Sequence, residues 1–193
     1  GMSSGDALRL CKRTIFIHPR MSHYAEISHQ IHLICEEYSD RIEYVSLDEG
    51  YIDVTFTEHL FGGADKIALE IQQKILRITG LTCSVGVGYS MMSAKLSAGM
   101  IKPLGFFNMD TREKWLEVMS PKPVEKISGI GDKTQERLNA LDIYTIKDLQ
   151  DADPFILKRE FKKIWSEWLH AVTWGYDERE VISDYTELSL RSA

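Results

Sequence analysis

A chain of 193 residues has room for one moderate hydrophobic core, or for one core and a small satellite domain. Hydrophobic residues at 44% and charged residues at 27% are an ordinary globular composition, and no apolar run reaches the ~20 residues of a membrane helix. The net charge of −6 excludes a dedicated basic clamp for nucleic acid: residues 1–123 hold 13 Lys and Arg against 15 Asp and Glu, residues 124–193 hold 10 against 14, and any such contact must come from local features.

Gly1 ahead of Met2 reads as a residue left by tag removal, and no signal-peptide pattern follows it. Asp6 to Cys11 suits a short helix, and Thr14 to Ile17 is an apolar, strand-like piece broken by His18-Pro19. From Met21 to Tyr38 the positions Tyr24, Ile27, Ile31, Ile34 and Tyr38 recur at helical spacing and form one apolar stripe. Arg41 to Thr55 favours extended structure through Val45, Tyr51, Ile52 and Val54. Gly62-Gly63 punctuates the chain before a second amphipathic helix, Ala64 to Ile78, with Gly80 as its stop. Leu81 to Tyr89 reads as a buried strand, Met91 to Met100 as a helix, Gly105 to Met109 as a short extended piece, and Thr111 to Met119 as a third amphipathic helix.

Pro121-Lys122-Pro123 marks a domain boundary, because the pattern changes there from α+β to all-α. A turn at Ile127 to Gly131 leads into a helix from Asp132 to Ala140, followed by short helices near Ile146–Leu149 and Pro154–Arg159. A longer helix, Phe161 to Trp174, carries Phe161, Trp165, Trp168, Leu169 and Val172 on a stripe that reads most simply as core rather than as a base-stacking surface. Cys11, Cys35 and Cys83 are scattered, odd in number and form no CxxC pair; they read as reduced, buried thiols of a cytosolic protein.

The chemistry concentrates in Ser46-Leu47-Asp48-Glu49-Gly50-Tyr51-Ile52-Asp53-Val54-Thr55. Two carboxylates about 5 Å apart repel by roughly 3 kcal/mol at an effective dielectric near 20. A divalent cation reverses that sign, and hard Mg²⁺ prefers oxygen ligands. Spacing alone reads more simply as an exposed turn in which Gly50 helps the chain bend. Neighbouring strand residues point to opposite faces, so the metal reading requires a bend at this point.

This run resembles the palm hairpin of Y-family (translesion) DNA polymerases, in their bacterial polymerase IV-like branch. Two further stretches match in order. Cys83-Ser84-Val85-Gly86-Val87-Gly88, with Ala94-Lys95 and Lys102-Pro103-x-Gly105, is similar to the family's palm strand and following helix. Residues 127–148 resemble the thumb's helix-hairpin-helix, and Gly175-Tyr176-Asp177-Glu178-Arg179 resembles the segment that closes the thumb. The resemblance covers roughly residues 3–181 and implies an α+β fold: a palm-type sheet with helices on one face, then a small all-α thumb. The implied divisions are partial fingers and the start of the palm at 2–20, palm at 21–120, thumb at 124–181, and a tail at 182–193 toward an absent little finger.

The resemblance implies that Asp48 and Glu49 are catalytic, holding Mg²⁺ (two ions in the complete family site), while Asp53 is a structural polar residue. Lys102 would meet the incoming deoxynucleoside triphosphate as a point charge; without the resemblance it reads as a solvated helix-end lysine. In Gly129-Ile130-Gly131 the glycines permit a tight turn whose N–H groups, with Lys133, would bind phosphates of primer-template DNA without reading sequence. Without a DNA partner the same turn is an ordinary packing joint between helices. A sliding clamp is a possible partner of the full-length protein, no membrane is involved, and the location is cytoplasmic.

The sequence also departs from the family. No Asp-x-Asp strand, which would supply a third carboxylate, precedes Met2; Gly50 replaces the usual small residue, Ser90-Met91 the usual Asn-Lys, and Gly99 the usual Asp. The expectation is a polymerase fragment in translesion synthesis and DNA repair that is inactive as this isolated chain. A non-catalytic DNA-binding or protein-interaction remnant is the alternative. A palm-like nucleotide cyclase fits less well, having no use for a helix-hairpin-helix.

Overall fold

The computed structural model of the protein describes residues 2–183. In chain order these form α1 (Ser4–Leu10), α2 (Met21–Glu36), the hairpin β1 (Ile42–Tyr44) and β2 (Gly50–Ile52), α3 (Glu58–Phe61), α4 (Ala64–Thr79), β3 (Val85–Gly88), α5 (Met91–Met100), β4 (Phe106–Met109) and α6 (Arg112–Met119). A 3₁₀ turn at Val124–Lys126 leads into α7 (Asp132–Asn139), α8 (Ile146–Asp151), α9 (Pro154–Phe161) and α10 (Lys163–Thr173). The α+β reading of the first part and the helical reading of the second both agree with this order.

In place of the single palm-type sheet expected, the described residues form two separate two-stranded sheets. β1 and β2 run antiparallel in the register Ile42↔Ile52, Glu43↔Tyr51 and Tyr44↔Gly50. β3 and β4 run parallel from Val85↔Phe106 to Gly88↔Met109. A parallel pair needs a crossover, and α5 supplies it. Residues two apart in a strand share a face, and here that face is glycine. A Cβ on Gly86 would lie 2.7 Å from Ser97 Cβ and nearer still to the backbone of Ala94 and Ala98; one on Gly88 would lie 2.6 Å from the Ser93 carbonyl carbon. The strand and α5 therefore meet almost backbone to backbone. α5 begins with a capping box, in which Ser90 Oγ accepts from Ser93 N at 3.2 Å and Ser93 Oγ accepts from Ser90 N at 2.9 Å.

Two hydrophobic cores result. The first joins Ile34, Tyr38 and Ile42 to the α4 stripe of Ile67, Ile71 and Ile75. The second joins Met109, Trp115 and Met119 to Val124, Ile127, Leu138, Leu149, Leu157, Leu169 and Val172. The prolines at 121 and 123 thus mark a change of architecture, while the packing runs on across them. Backbone bonds tie the segment down as well, from Ile146 N to Lys122 O (2.9 Å) and from Val124 N to Tyr144 O (3.0 Å).

Several sequence expectations need correction. Thr14 to Ile17 is not a strand: among the described residues no strand pairs with it, and Ile15 and Ile17 stay exposed. The strand expected over Leu81 to Tyr89 is confined to Val85–Gly88, where β4 offers four partners, and Leu81 is exposed. Phe161 to Trp174 is not one helix; Lys162, at φ +62°, breaks it between α9 and α10. Phe161, Leu169 and Val172 are core, whereas Trp165 and Trp168 are 45% and 36% exposed. The break re-aims the helix, so its stripe covers the core with only part of its width. Cys11 is exposed rather than buried, because α1 packs no buried residue of its own; Cys35 is buried and Cys83 half-buried. Burial pushes the Cys35 thiol up to about 12. Residues 184–193 of the expected tail lie outside the described residues.

Candidate active site

Asp48 and Glu49 sit in the five-residue connection between β1 and β2, where the chain bends back; Val45 N and Ser46 N both donate to Glu49 O, at 2.9 and 3.1 Å. The bend lets neighbouring acids share one tip, as the metal reading requires. Ser46 Oγ donates to Asp48 Oδ1 at 2.6 Å. Glu49 Oε2 is met by Lys95 Nζ of α5 at 3.0 Å. Gly50 starts β2 in a tight place, since a Cβ there would lie 3.2 Å from both Glu43 O and Tyr44 Cδ1. Asp53 pairs with Arg41 at 3.0 Å, and its carboxylate accepts from Thr55 N at 3.0 Å. Burial alone would raise the Asp53 carboxyl, but the Thr55 bonds and the Arg41 guanidinium together hold it below the usual carboxylate range.

Beside the hairpin lies a cleft of about 370 Å³. Val45, Tyr51 and Lys95 line one side, Ser128, Trp168 and Val172 another, and Tyr176, Asp177 and Arg179 a third. The last of these belongs to a strap, residues 173–182, that crosses from the helical part back to the α/β part. Trp115 Nε1 donates to Thr173 O at 3.3 Å, Arg112 Nε to Trp174 O at 2.8 Å, and Tyr89 OH to Gly175 O at 2.6 Å. Met92 N, in the first turn of α5, donates to Asp177 Oδ2 at 2.8 Å, and Ile182 N to Glu43 Oε2 at 3.0 Å. Arg179 Nε and NH2 grip Asp177 at 2.7 and 2.8 Å. Burial would raise the Asp177 carboxyl, yet Arg179 and the Met92 amide outweigh it and lower the carboxyl on balance. Burial likewise pushes the Tyr51 hydroxyl up, with Lys95 and Arg179 opposing it.

The other sequence-derived candidates are spread around this cleft. Lys102 lies exposed in the turn after α5, followed by a cis Lys102-Pro103 bond, and forms no salt bridge among the described residues. Gly129, at φ +107°, packs against Trp168, and a Cβ there would lie 2.9 Å from Cη2. Gly131 is the N-cap of α7; among the described residues no side chain caps that helix, and Lys133 is exposed in its first turn beside Asp132. The fold brings Val45 and Tyr51 of the hairpin and Ser128 of the turn before α7 to the same cleft, but none of Asp48, Glu49, Lys102, Gly129, Gly131 and Lys133 lines it; of the two acidic side chains, only that of Glu49 reaches a lining residue, Lys95, among the described residues.

Sequence reasoning gave no role to Lys95, Trp168, Asp177 or Arg179. Lys95 and the Asp177–Arg179 pair stood inside matched motifs, which was the available signal; Trp168 carried none beyond its place on a stripe.

The acids at the tip are hard oxygen donors, suited to Mg²⁺ rather than to a soft metal, and the Lys95 ammonium stands at Glu49 as a monovalent substitute. They fit one hard cation at an exposed site. Among the described residues no group of three or more His, Cys, Asp or Glu is placed to hold a metal, and no helix is long and apolar enough to cross a membrane.

Residues 1–99 match the impB/mucB/samB family. The chain is 38% identical to the DNA polymerase IV of Ectopseudomonas mendocina, over 98% of its own length and 53% of that protein. It is 37% identical to the DNA polymerase IV of Pseudomonas aeruginosa, over 98% of itself and 54% of that protein. The crystal structure of DinB from Sulfolobus solfataricus superposes with a TM-score of 0.85 at 26% identity, covering 95% of this chain and 54% of that one. The insertion ternary complex of Dbh DNA polymerase superposes with a TM-score of 0.81 at 27% identity, covering 93% and 53%. The chain therefore spans about half the length of the curated relatives it matches. On the family match and these likenesses together, the chain belongs to the impB/mucB/samB family and is a partial Y-family DNA polymerase IV homologue.

Proposed function

We propose that this chain carries the palm (residues 21–120) and the thumb (residues 124–181) of a polymerase that performs template-directed nucleotidyl transfer in translesion synthesis, with residues 2–20 forming part of its fingers and the start of the palm. The observation that carries the reading is the pair Asp48 and Glu49 in the bent connection of a hairpin whose flanking residues Val45 and Tyr51 line a cleft that the helical part helps to wall. In the whole enzyme these acids would hold Mg²⁺, which would supply positive charge to offset that of the phosphates. Lys102 offers its ammonium to the triphosphate, and the turn Gly129 to Gly131 with Lys133 forms the helix-hairpin-helix contact to phosphates of primer-template DNA. The uncapped start of α7 supports that contact, since its first N–H groups take no side-chain partner among the described residues.

Two carboxylates at an exposed tip bind Mg²⁺ weakly, so the 193-residue chain alone does not extend primers. The alternative, a non-catalytic DNA-binding remnant, is favoured by one observation: Glu49 is already paired with Lys95. Fluorescence anisotropy with labelled primer-template DNA, beside primer extension in Mg²⁺ and nucleotides, tests both. Salt-dependent binding is expected, with Lys133→Ala lowering the slope of log affinity against log salt by about 1. Absence of salt-dependent binding removes the thumb reading. Metal-dependent extension abolished by Asp48→Ala removes the expectation of inactivity and the remnant with it.

A further inference from the structure

Glu49 is half-exposed and has no need of a partner to offset burial, yet it has one. Lys95 Nζ stands 3.0 Å from Glu49 Oε2, across 46 residues of sequence, with side chains 42% and 53% exposed. An exposed pair of this kind adds little stability. Its effect is geometric. Lys95 rises from α5, which is held by the close approach to Gly86 and Gly88, by its capping box and by Asp177 at its first turn. The hairpin tip is by contrast a five-residue connection. The better-fixed element therefore dictates where the Glu49 carboxylate points, and Lys95 also lines the cleft beside Tyr51. The cleft's other nearby cation, Arg179, is already gripped by Asp177 through two bonds.

We infer that Lys95 is a positioning residue for Glu49: its ammonium holds the carboxylate beside the cleft while no divalent cation is bound, and competes with such a cation for it. This rests on reading Asp48 and Glu49 as cation ligands. Mg²⁺ binds carboxylate oxygens at about 2.1 Å, and an ammonium 3.0 Å from the same oxygen would then face a doubly charged neighbour. The ammonium must withdraw, which its flexible four-carbon stem allows, and the work of displacing it lowers the cation's affinity.

Mn²⁺ serves as the probe, its free concentration read by electron paramagnetic resonance at constant low ionic strength on the 193-residue chain. The expected result is weak binding by the unaltered chain, about fivefold tighter binding by Lys95→Met and by Lys95→Gln, and near-original affinity in Lys95→Arg. Asp48→Asn and Glu49→Gln should abolish binding, with circular-dichroism melts showing that each variant folds. If the acid variants lose binding but both neutral lysine replacements bind no tighter than the original, Lys95 does not compete for the carboxylate and the inference falls, while the cation reading stands. If the acid variants bind as well as the original, or no variant binds Mn²⁺, the cation reading falls and takes the inference with it.

Discussion

Gly86→Ala should destabilise the protein severely, and the structure sets the size of the effect. An added Cβ would stand 2.7 Å from Ser97 Cβ, whereas ordinary contact begins near 3.4 Å, so α5 or β3 must shift by at least about 0.7 Å. Two of the atoms in its way are backbone, at Ala94 and Ala98, and cannot rotate aside as a side chain would. Overpacking of this kind costs about 3 kcal/mol, which for a chain of this size lowers Tm by about 6–12 °C. Gly99→Ala is the matched control: Gly99 lies in the same helix with nothing within 4 Å of an added Cβ. Removing glycine's extra unfolded-state freedom there should stabilise by about 0.5–1 kcal/mol. Urea unfolding followed by circular dichroism measures both. A Gly86→Ala loss under about 0.5 kcal/mol, or a Gly99→Ala loss of similar size to it, would refute the claim that strand and helix meet through their backbones.

Trp115→Ala removes a fully buried side chain at the heart of the second core, together with the indole N–H that reaches Thr173 O. It should cost about 3–5 kcal/mol by the same urea assay. Asp177→Asn should cost about 1–2 kcal/mol at neutral pH, through its charged bonds to Arg179 and to Met92 N. The Asp177 carboxyl is lowered in the folded state, so its contribution is fully present above the unfolded value near 4 and is lost as pH falls through the lowered folded value. The stability difference between the original chain and Asp177→Asn should accordingly shrink in unfolding curves taken below about pH 4.

Where local chemistry decides, the sequence was readable. The helices expected over Met91 to Met100 and Ala64 to Ile78, the second from its isoleucine stripe and Gly80, both agree with the structure. Arg41 to Thr55 read as one extended stretch from its residues, and the hairpin at the acidic bend was legible only through the family resemblance. What failed depended on partners distant in sequence. Thr14 to Ile17 has the composition of a strand but no strand to pair with among the described residues, and composition cannot show that. Trp165 and Trp168 lie on the helical stripe, but the backbone reversal at Lys162 turns them outward. The strap was recognisable as a closing segment, yet its bonds span from 58 to 139 residues and so left no local trace. The Lys95–Glu49 pair was hidden in the same way, being fixed by how α5 lies on two glycines rather than by spacing.

The strap also sets an order of events during synthesis on the ribosome. Its partners Glu43, Tyr89 and Met92 are translated 85 to 139 residues before the groups that bond to them. At about 5–20 residues per second, those early segments wait several seconds or more in the exit vestibule with their late partners still unmade. The first core, closed by residue 75, can form in that interval, whereas the cleft wall cannot. A nascent chain stalled before residue 173 should therefore hold a folded first core beside an unsealed second one, open to chaperones and proteases along the side where the strap later comes to rest.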